Sequence, residues 1–128
     1  MSQQQQPTRT VGAAGERLAE WFLAHRGYRT LERNLRIGRF EVDLVVEKGT
    51  WIVLVEVKTR SASSWGGAPG ALRSGQRARL AAAAGGYASR FGPDRALRFD
   101  VITVEESATR LVIEHWRDAF GAGGELRG

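Results

Sequence analysis

Cysteine is absent from this sequence, and histidine occurs only at His25 and His115. The absence of cysteine excludes a disulfide framework, a zinc ribbon and a cysteine nucleophile. With so few imidazoles, a metal site would have to be built from oxygen ligands. The sequence also has no apolar run near the roughly 18 residues that a membrane span requires, and it opens with polar residues rather than an apolar signal core. These absences predict a cytoplasmic protein with no membrane partner.

Lysine is scarce as well, since Lys48 and Lys58 are the only lysines among nineteen basic residues. The formal net charge is +5, and the segment from Lys58 to Arg98 alone carries +7, because it holds eight basic residues and one acidic residue. Arginine binds phosphate with a bidentate fork, so this concentration favours a nucleic-acid partner, although a GC-rich genome would also enrich arginine. The candidate phosphate contacts are Arg60, Arg73, Arg77 and Arg79.

The 128 residues suit one domain, with 42% hydrophobic and 26% charged residues. We expect a disordered tail over residues 1–10, a single domain over 11–120 and a frayed tail over 121–128. Hydrophobic periodicity predicts two helices and four or five strands. The helices are expected over Val11–Arg26, ended by Gly27, and Ala71–Arg90, and the strands over Tyr28–Arg36, Arg39–Glu47, Trp51–Arg60, Leu97–Glu105 and Leu111–Trp116.

This order of elements predicts an α/β fold with a mixed central sheet and flanking helices. Three sequential strands form an antiparallel meander, and a helical crossover then leads to a strand parallel to one of its neighbours. In the first helix two apolar stripes compete for the core, one with Leu18, Trp21, Phe22 and His25 and one with Ala19 and Leu23.

The second and third strands form a hairpin that is apolar on both faces, which predicts a central position covered from both sides. Alternation places Phe40, Val42, Leu44 and Val46 on one face of the second strand and Glu41, Asp43 and Val45 on the other. A two-residue turn at Lys48 and Gly49 would pair Glu47 with Thr50. Counting back from that turn puts Asp43 opposite Leu54 and Glu41 opposite Glu56.

In this register Glu41, Asp43, Glu56 and Lys58 share one face, with Asp43 and Glu56 as diagonal neighbours. Carboxylates so close can share a Mg²⁺ or Mn²⁺ ion, and Lys58 can stabilise charge on a phosphate or hold the attacking water. This is the Asp…Glu-x-Lys arrangement of metal-dependent nucleases. The alternative is a solvated pair of charges on an ordinary strand. Glu41 either joins the ion or supports the groups that bind it.

With these motifs the sequence resembles the YraN-type family (UPF0102), which is similar to archaeal Holliday-junction resolvases with the restriction-endonuclease-like fold. The matching segments are Gly15-Glu16, Gly27-Tyr28, Asn34, Glu41-Val42-Asp43, Glu56-Val57-Lys58-Thr59-Arg60, Arg98-Phe99-Asp100-Val101 and Ile113-Glu114-His115. The resemblance implies that Asp43, Glu56 and Lys58 form the nuclease core and that Glu16 is a further acidic residue of the site. Without the resemblance, Glu16 could equally be a first-turn glutamate favoured by the helix dipole.

Gln76 stands where the second helix of this family commonly carries lysine, so we include it among the candidate nucleic-acid contacts. The expected function is that of a metal-dependent endonuclease or branched-DNA-processing nuclease. The alternatives are a nucleic-acid-binding module with a weak or lost active site and a protein-interaction scaffold. A junction-cutting enzyme needs two active sites, which would call for a homodimer. We expect His25 and His115 to be structural and Asp100 to pair with an arginine.

Overall fold

A computed structural model describes residues 8–61 and 74–119, with the side chains of residues 13–60 and 78–119. Two helices, five strands and one short 3₁₀ helix follow each other along these residues. Their bounds are α1 Thr8–Ala24, β1 Arg29–Ile37, β2 Phe40–Lys48, β3 Trp51–Ser61, α2 Ser74–Ala88, the 3₁₀ helix Ser89–Phe91, β4 Ala96–Glu106 and β5 Leu111–Trp116. Residues 1–7 of the predicted N-terminal tail and the predicted C-terminal tail over 121–128 lie outside the described residues.

The strands form one sheet in the order β1-β2-β3-β4-β5. All neighbours are antiparallel except β3 and β4, which run parallel because the chain crosses through α2 between them. The predicted meander, the helical crossover and the mixed sheet are therefore confirmed. Element bounds differ by a few residues: α1 begins at Thr8, before the predicted Val11, and α2 ends at Ala88, where a 3₁₀ turn continues the chain. Neither described helix is long and apolar enough to cross a membrane.

Each face of the sheet has its own apolar core, as expected for a hairpin covered on both sides. The core on the α1 face contains Ala19 and Leu23 of the helix, Val53 and Val55 of β3, and residues of β2 and β4. The core on the α2 face contains helix residues such as Leu80 and Ala84 together with inward residues of β2, β3 and β4. Burial of both faces of β3 makes this strand the centre of the molecule.

The core stripe of α1 is the one that contains Ala19 and Leu23, since the competing stripe includes Trp21, which is 57% exposed. Gly27 ends the helical segment as predicted. Its φ of 90° lies in the left-handed region, and the amide of Tyr28 donates to the carbonyl of Leu23 over 3.1 Å. The chain thereby reverses from α1 directly into β1, which holds the helix close against the sheet.

The β2–β3 turn differs from the prediction by one position at each strand. Lys48 pairs with Trp51 and Glu47 with Ile52, so the turn residues are Gly49 and Thr50 rather than Lys48 and Gly49. Gly49 has a φ of 60°, which suits glycine at the first position of a tight hairpin turn. The predicted pairs of Asp43 with Leu54 and of Glu41 with Glu56 are therefore wrong. Because the shift moves both strands by one, residues predicted to share a face in the regular part of the hairpin still do.

The predicted alternation of β2 is also wrong at one point, where the strand changes phase. Val42 packs in the core on the α2 face together with Val45, whereas Leu44 packs on the α1 face. The irregularity falls at Asp43, and the residue facing it on β1 is Asn34, which lies between two regular pairs and has a φ of 52°. The register between β1 and β2 does not shift at Asn34; it shifts between Thr30 and Glu32, nearer the start of β1.

Candidate active site

The candidate site lies where β2 separates from β3. The regular pairing of the two strands ends at Leu44 and Val55, and the next positions along them are Asp43 and Glu56. Beyond this point the amide of Val57 has no strand carbonyl from β2, and it donates instead to Oδ2 of Asp43 over 2.7 Å. The carboxylate of Asp43 thus replaces a backbone acceptor at the opening. Asp43 and Glu56 are direct neighbours across this gap, not the diagonal pair that the sequence predicted.

Glu56 and Lys58 form an ion pair on β3, with Lys58 Nζ 2.8 Å from Glu56 Oε2. Both side chains are mostly shielded from solvent, and strand alternation places them on the face of Ile52 and Leu54. Glu56 and Glu41 also line a cavity of about 280 Å³ between β2, β3 and α2. The rest of its wall is largely apolar and includes Phe40, Leu54, Leu80 and Phe99.

Glu16 reaches the same gap from α1, because the helix approaches β3 very closely at the preceding residue. Gly15 is buried, and a Cβ atom built on it would overlap the hydroxyl of Thr59. With a larger residue at this position, either the Thr59 side chain or α1 would have to shift. The approach brings the Glu16 side chain into hydrogen-bonding contact with Asp43. The sequence carried a signal for this contact, a glycine inside a helix directly before an acidic residue, but no partner for it.

The electrostatics of the gap disfavour negative charge. Burial, the charge of Asp43 and the charge of Glu41 raise the pKa of Glu16 to about 7. Burial also raises the pKa of Asp43, with Glu56 and Glu41 adding to the effect, while the Val57 amide and the hydrogen bond with Glu16 oppose it. Near neutral pH Glu16 therefore retains a proton part of the time and shares it with Asp43.

This donor set fits a hard divalent cation in its chemistry. It consists of carboxylate oxygens. The raised pKa values of Glu16 and Asp43 reflect burial and repulsion between neighbouring carboxylates, which a bound cation would relieve. Within residues 8–61 and 74–119, however, no three acidic or histidine side chains are already grouped closely enough to hold an ion. Ion binding would require Glu56 to exchange its contact with Lys58 for the ion and the carboxylates to rotate toward one another.

The predicted nucleic-acid contacts are only partly described. Arg60 follows the site on β3 and donates to the carbonyl of Thr59 over 3.3 Å. Arg79 is exposed on α2, and Gln76 and Arg77 belong to the same helix, though their side chains lie outside the description. Arg73 precedes the helix and lies outside the described residues. Among the predicted nucleic-acid contacts, Arg60 is therefore the one that lies on the same strand as Glu56 and Lys58.

A second carboxylate, Asp100 of β4, is fully buried and belongs to a separate network. It accepts two hydrogen bonds from Arg98, at 2.8 and 2.7 Å, and one from the Asp118 amide at 2.9 Å, and it bonds to His115 Nε2 at 2.7 Å. Arg98 in turn donates to the Tyr28 hydroxyl over 2.7 Å. The expected pairing of Asp100 with an arginine and the structural role of His115 both agree with this arrangement. The network links β4 to β5 and to Tyr28, which lies between α1 and β1.

Comparison with known proteins adds a family to this geometry. Residues 15–104 match the model of the uncharacterised protein family UPF0102. The chain belongs to UPF0102. The matched range begins at Gly15 and Glu16 and ends within β4, so it contains every acidic residue of the gap together with Lys58.

Curated relatives carry the same family name. A UPF0102 protein of Anaeromyxobacter dehalogenans is 39% identical over 115 residues, which cover 89% of this chain and 86% of the relative. A UPF0102 protein of Shewanella sediminis is 46% identical over 94 residues, or 73% of this chain and 80% of the relative. One of Chlorobaculum tepidum is 40% identical over 120 residues, or 88% and 93%. These names state no activity, so the chemistry of this UPF0102 member has to be argued from the site.

Proposed function

We propose that this protein is a metal-dependent nuclease that hydrolyses phosphodiester bonds in DNA, on a restriction-endonuclease-like fold. The observation that carries the proposal is the position of Asp43 at the gap between β2 and β3, where it interacts both with Glu16 of α1 and with Glu56, the ion-pair partner of Lys58. The order of the elements supports the fold assignment, with a helix, an antiparallel meander and a helical crossover to a parallel strand. Burial and the charges of neighbouring carboxylates raise the pKa values of Glu16 and Asp43, and such shifts are typical of functional sites.

In the proposed mechanism Asp43 and Glu56 would hold a Mg²⁺ or Mn²⁺ ion, with Glu16 and Glu41 as further oxygen ligands. Such an ion would polarise the scissile phosphate and lower the pKa of a bound water. Lys58, now paired with Glu56, would offer its ammonium group to a phosphate oxygen or to the attacking water. Arg60, two residues beyond Lys58 on the same strand, would contact an adjacent phosphate.

DNA binding in this proposal is mainly electrostatic. The segment from Lys58 to Arg98, with its charge of +7, includes Arg79 on the exposed side of α2. Arg73, Gln76 and Arg77 are proposed as further contacts from the start of the same helix. If about four phosphates are neutralised, the logarithm of the binding constant should fall with the logarithm of salt concentration with a slope near −3.6, at about −0.9 per contact.

The test is cleavage of linear, flapped and four-way-junction DNA by the full chain with Mg²⁺, with Mn²⁺ and with a chelator. Lys58→Ala is expected to lower the cleavage rate about 10²–10³-fold while DNA binding and melting temperature stay near those of the parent. Arg110→Ala, which removes one exposed positive charge from the β4–β5 turn, is the matched control and should cut at the parental rate. Equal rates for Lys58→Ala and the parent would contradict the assigned role of Lys58.

A second candidate function is DNA binding without cleavage. The observation that favours it is the direct ion pair between Lys58 and Glu56, which satisfies both charges in the absence of metal. In that case the parent binds DNA with the salt dependence given above but cuts none of the substrates with either ion. Light scattering of the junction complex would show whether two chains assemble on one junction, as a junction-cutting homodimer requires.

A further inference from the structure

A second cavity, with a polar lining, lies at the other end of the β2–β3 hairpin from the acidic gap. It has a volume of about 340 Å³ and is lined by Arg26, Tyr28, Lys48, His115 and Arg117, which we call the cationic cavity. Lys48 is five positions along β2 from Asp43, so the two sites are separated by roughly 17 Å at about 3.4 Å per strand residue. Three of the five side chains are permanent cations and none is acidic.

Lys48 is held in place across the junction of α1 and β1. Its Nζ donates to the carbonyl of Arg26 over 2.7 Å and lies 5.0 Å from the centre of the Tyr28 ring. The Lys48 side chain packs beside Gly27, where a Cβ atom would be in ordinary van der Waals contact with Lys48 Cε at 3.4 Å. An ammonium group has three N–H donors, and the Arg26 carbonyl uses one. The hydrogen bond to the Arg26 carbonyl therefore uses only part of the hydrogen-bonding capacity of Lys48, and the other N–H groups can donate to a ligand.

The two arginines of the cationic cavity differ in how they are held. The Arg26 guanidinium lies 3.5 Å from the centre of the Phe22 ring and donates to the Phe22 carbonyl over 3.3 Å. Arg117 is exposed at the end of β5, and the structure gives it no ion pair within the described residues. One guanidinium is thus fixed by stacking while the other is available to a ligand.

Two acidic residues beside lining residues of the cationic cavity are neutralised by other groups. Glu47, next to Lys48, pairs with Arg29 and with Arg95. Asp100, which contacts His115, is neutralised by Arg98. These two carboxylates therefore do not balance the positive charge of Arg26, Lys48 and Arg117. Such an excess around a concave surface attracts anions.

We propose that the cationic cavity is a binding site for a phosphate group, carried either by a nucleic-acid strand or by a free phosphate compound such as a nucleotide. Two guanidinium forks and one ammonium from different directions suit the tetrahedral oxygens of phosphate better than a planar carboxylate. Tyr28 adds an aromatic wall beside the cations. The inference does not depend on metal-dependent cleavage, because it concerns other residues at another end of the sheet.

The first test is an NMR titration of the full chain with inorganic phosphate, compared with sodium chloride at the same ionic strength and without metal or DNA. We expect saturable shifts of the amides of Gly27, Lys48 and Arg117 with phosphate but not with chloride. Arg117→Ala should weaken phosphate binding about tenfold or more, since a charge-assisted hydrogen bond is lost. Arg110→Ala removes the same charge at the opposite end of β5 and should leave phosphate binding unchanged.

The second test identifies the source of the phosphate with duplex DNA, single-stranded DNA and adenosine monophosphate as separate probes. Weaker binding of a DNA probe by Arg117→Ala than by Arg110→Ala assigns the cationic cavity to a strand. Unchanged DNA affinity with loss of the monophosphate assigns it to a free phosphate compound. Phosphate shifts that never saturate, or saturable binding that Arg117→Ala retains in full, would overturn the proposal. None of these outcomes depends on whether the acidic gap cleaves DNA.

Discussion

Asp43 and Asp100 are two aspartates at the central strands whose surroundings act in opposite directions. Burial raises the pKa of both carboxyl groups. At Asp100, hydrogen bonds from His115, Arg98 and the Asp118 amide outweigh burial, so its pKa is lowered. At Asp43, the hydrogen bonds with the Val57 amide and with Glu16 do not outweigh burial and the charges of Glu56 and Glu41, so its pKa remains raised. The difference lies in the partners of each carboxylate and not in burial itself.

Asp100 is thus a buried charge whose partners stabilise the fold, whereas Asp43 is a buried charge next to other carboxylates. Asp100 has donors for both of its oxygens, and its network ties β4 to β5 and to Tyr28. Asp43 is surrounded by groups that only a cation or a proton can reconcile. Substitutions at the two aspartates should therefore have opposite effects on the stability of the metal-free protein.

Asp100→Asn should have the largest effect. Removing this charge leaves the Arg98 guanidinium buried without its counter-ion, a change that typically lowers the free energy of unfolding by about 3–5 kcal/mol. Urea denaturation in the presence of a chelator measures it. Asp43→Asn makes the same chemical change and is expected to be neutral or stabilising under these conditions, since a repulsion is removed. Equal losses in the two variants would show that both aspartates are structural.

Manganese should stabilise the parent by an intermediate amount. An ion that binds only the folded state adds about 2.7 kcal/mol at 100 times its dissociation constant, which raises the melting temperature of a domain of this size by several degrees. Asp43→Asn should lose most of this gain because it removes a proposed ligand. The measurement is thermal melting of both proteins with chelator and with manganese. The same manganese shift in parent and variant would remove Asp43 from the proposed ion site.

The pH dependence contributed by Glu16 should be the smallest of the three effects. Its pKa is about 7 in the folded protein and 4.5 in the unfolded chain, so the folded state binds the proton more tightly between these values. Metal-free stability should therefore fall as pH rises from about 4.5 to 7, by on the order of 1 kcal/mol once solvent screening is allowed for.

Urea unfolding of the parent and Glu16→Gln at pH 5 and pH 7.5 checks this expectation. The glutamine variant should lose most of the difference between the two pH values. Glu114→Gln, at an exposed position of β5, is the control and should keep the parental difference. If Glu16→Gln changes with pH as steeply as the parent, the raised pKa does not belong to Glu16.

Much of the fold could be predicted because its signals are local. Valine-rich alternation marked β2 and β3, and Gly27 marked the end of the first helix. The turn register could not be decided in this way. A glycine is acceptable at the second position of one hairpin turn type and at the first position of another, so both placements of Gly49 satisfied the same rule. Cross-strand packing against the rest of the sheet selects between them.

The sequence singles out candidate site residues, whose role stays a prediction, but it does not predict the geometry around them. Asp43, Glu56 and Lys58 were expected together, and they do meet at the end of the β2–β3 pairing. The surroundings of these residues include the phase change of β2 at Asp43 and the left-handed Asn34 opposite it on β1, which hydrophobic alternation does not reveal. Strand alternation assumes a regular ladder, and it fails where a ladder ends.

The position of Glu16 depends on the contact between Gly15 of α1 and Thr59 of β3. With no side chain at position 15, α1 packs directly on the Thr59 side chain of β3, and this contact sets the distance from the Glu16 backbone to the β2–β3 gap. Variation at position 15 can therefore retune the site while leaving every charged group in the chain unchanged. A larger residue there would lift the helix and carry its carboxylate away from the other three. The geometry of an acidic cluster is in this way controlled by a residue that has no functional group at all.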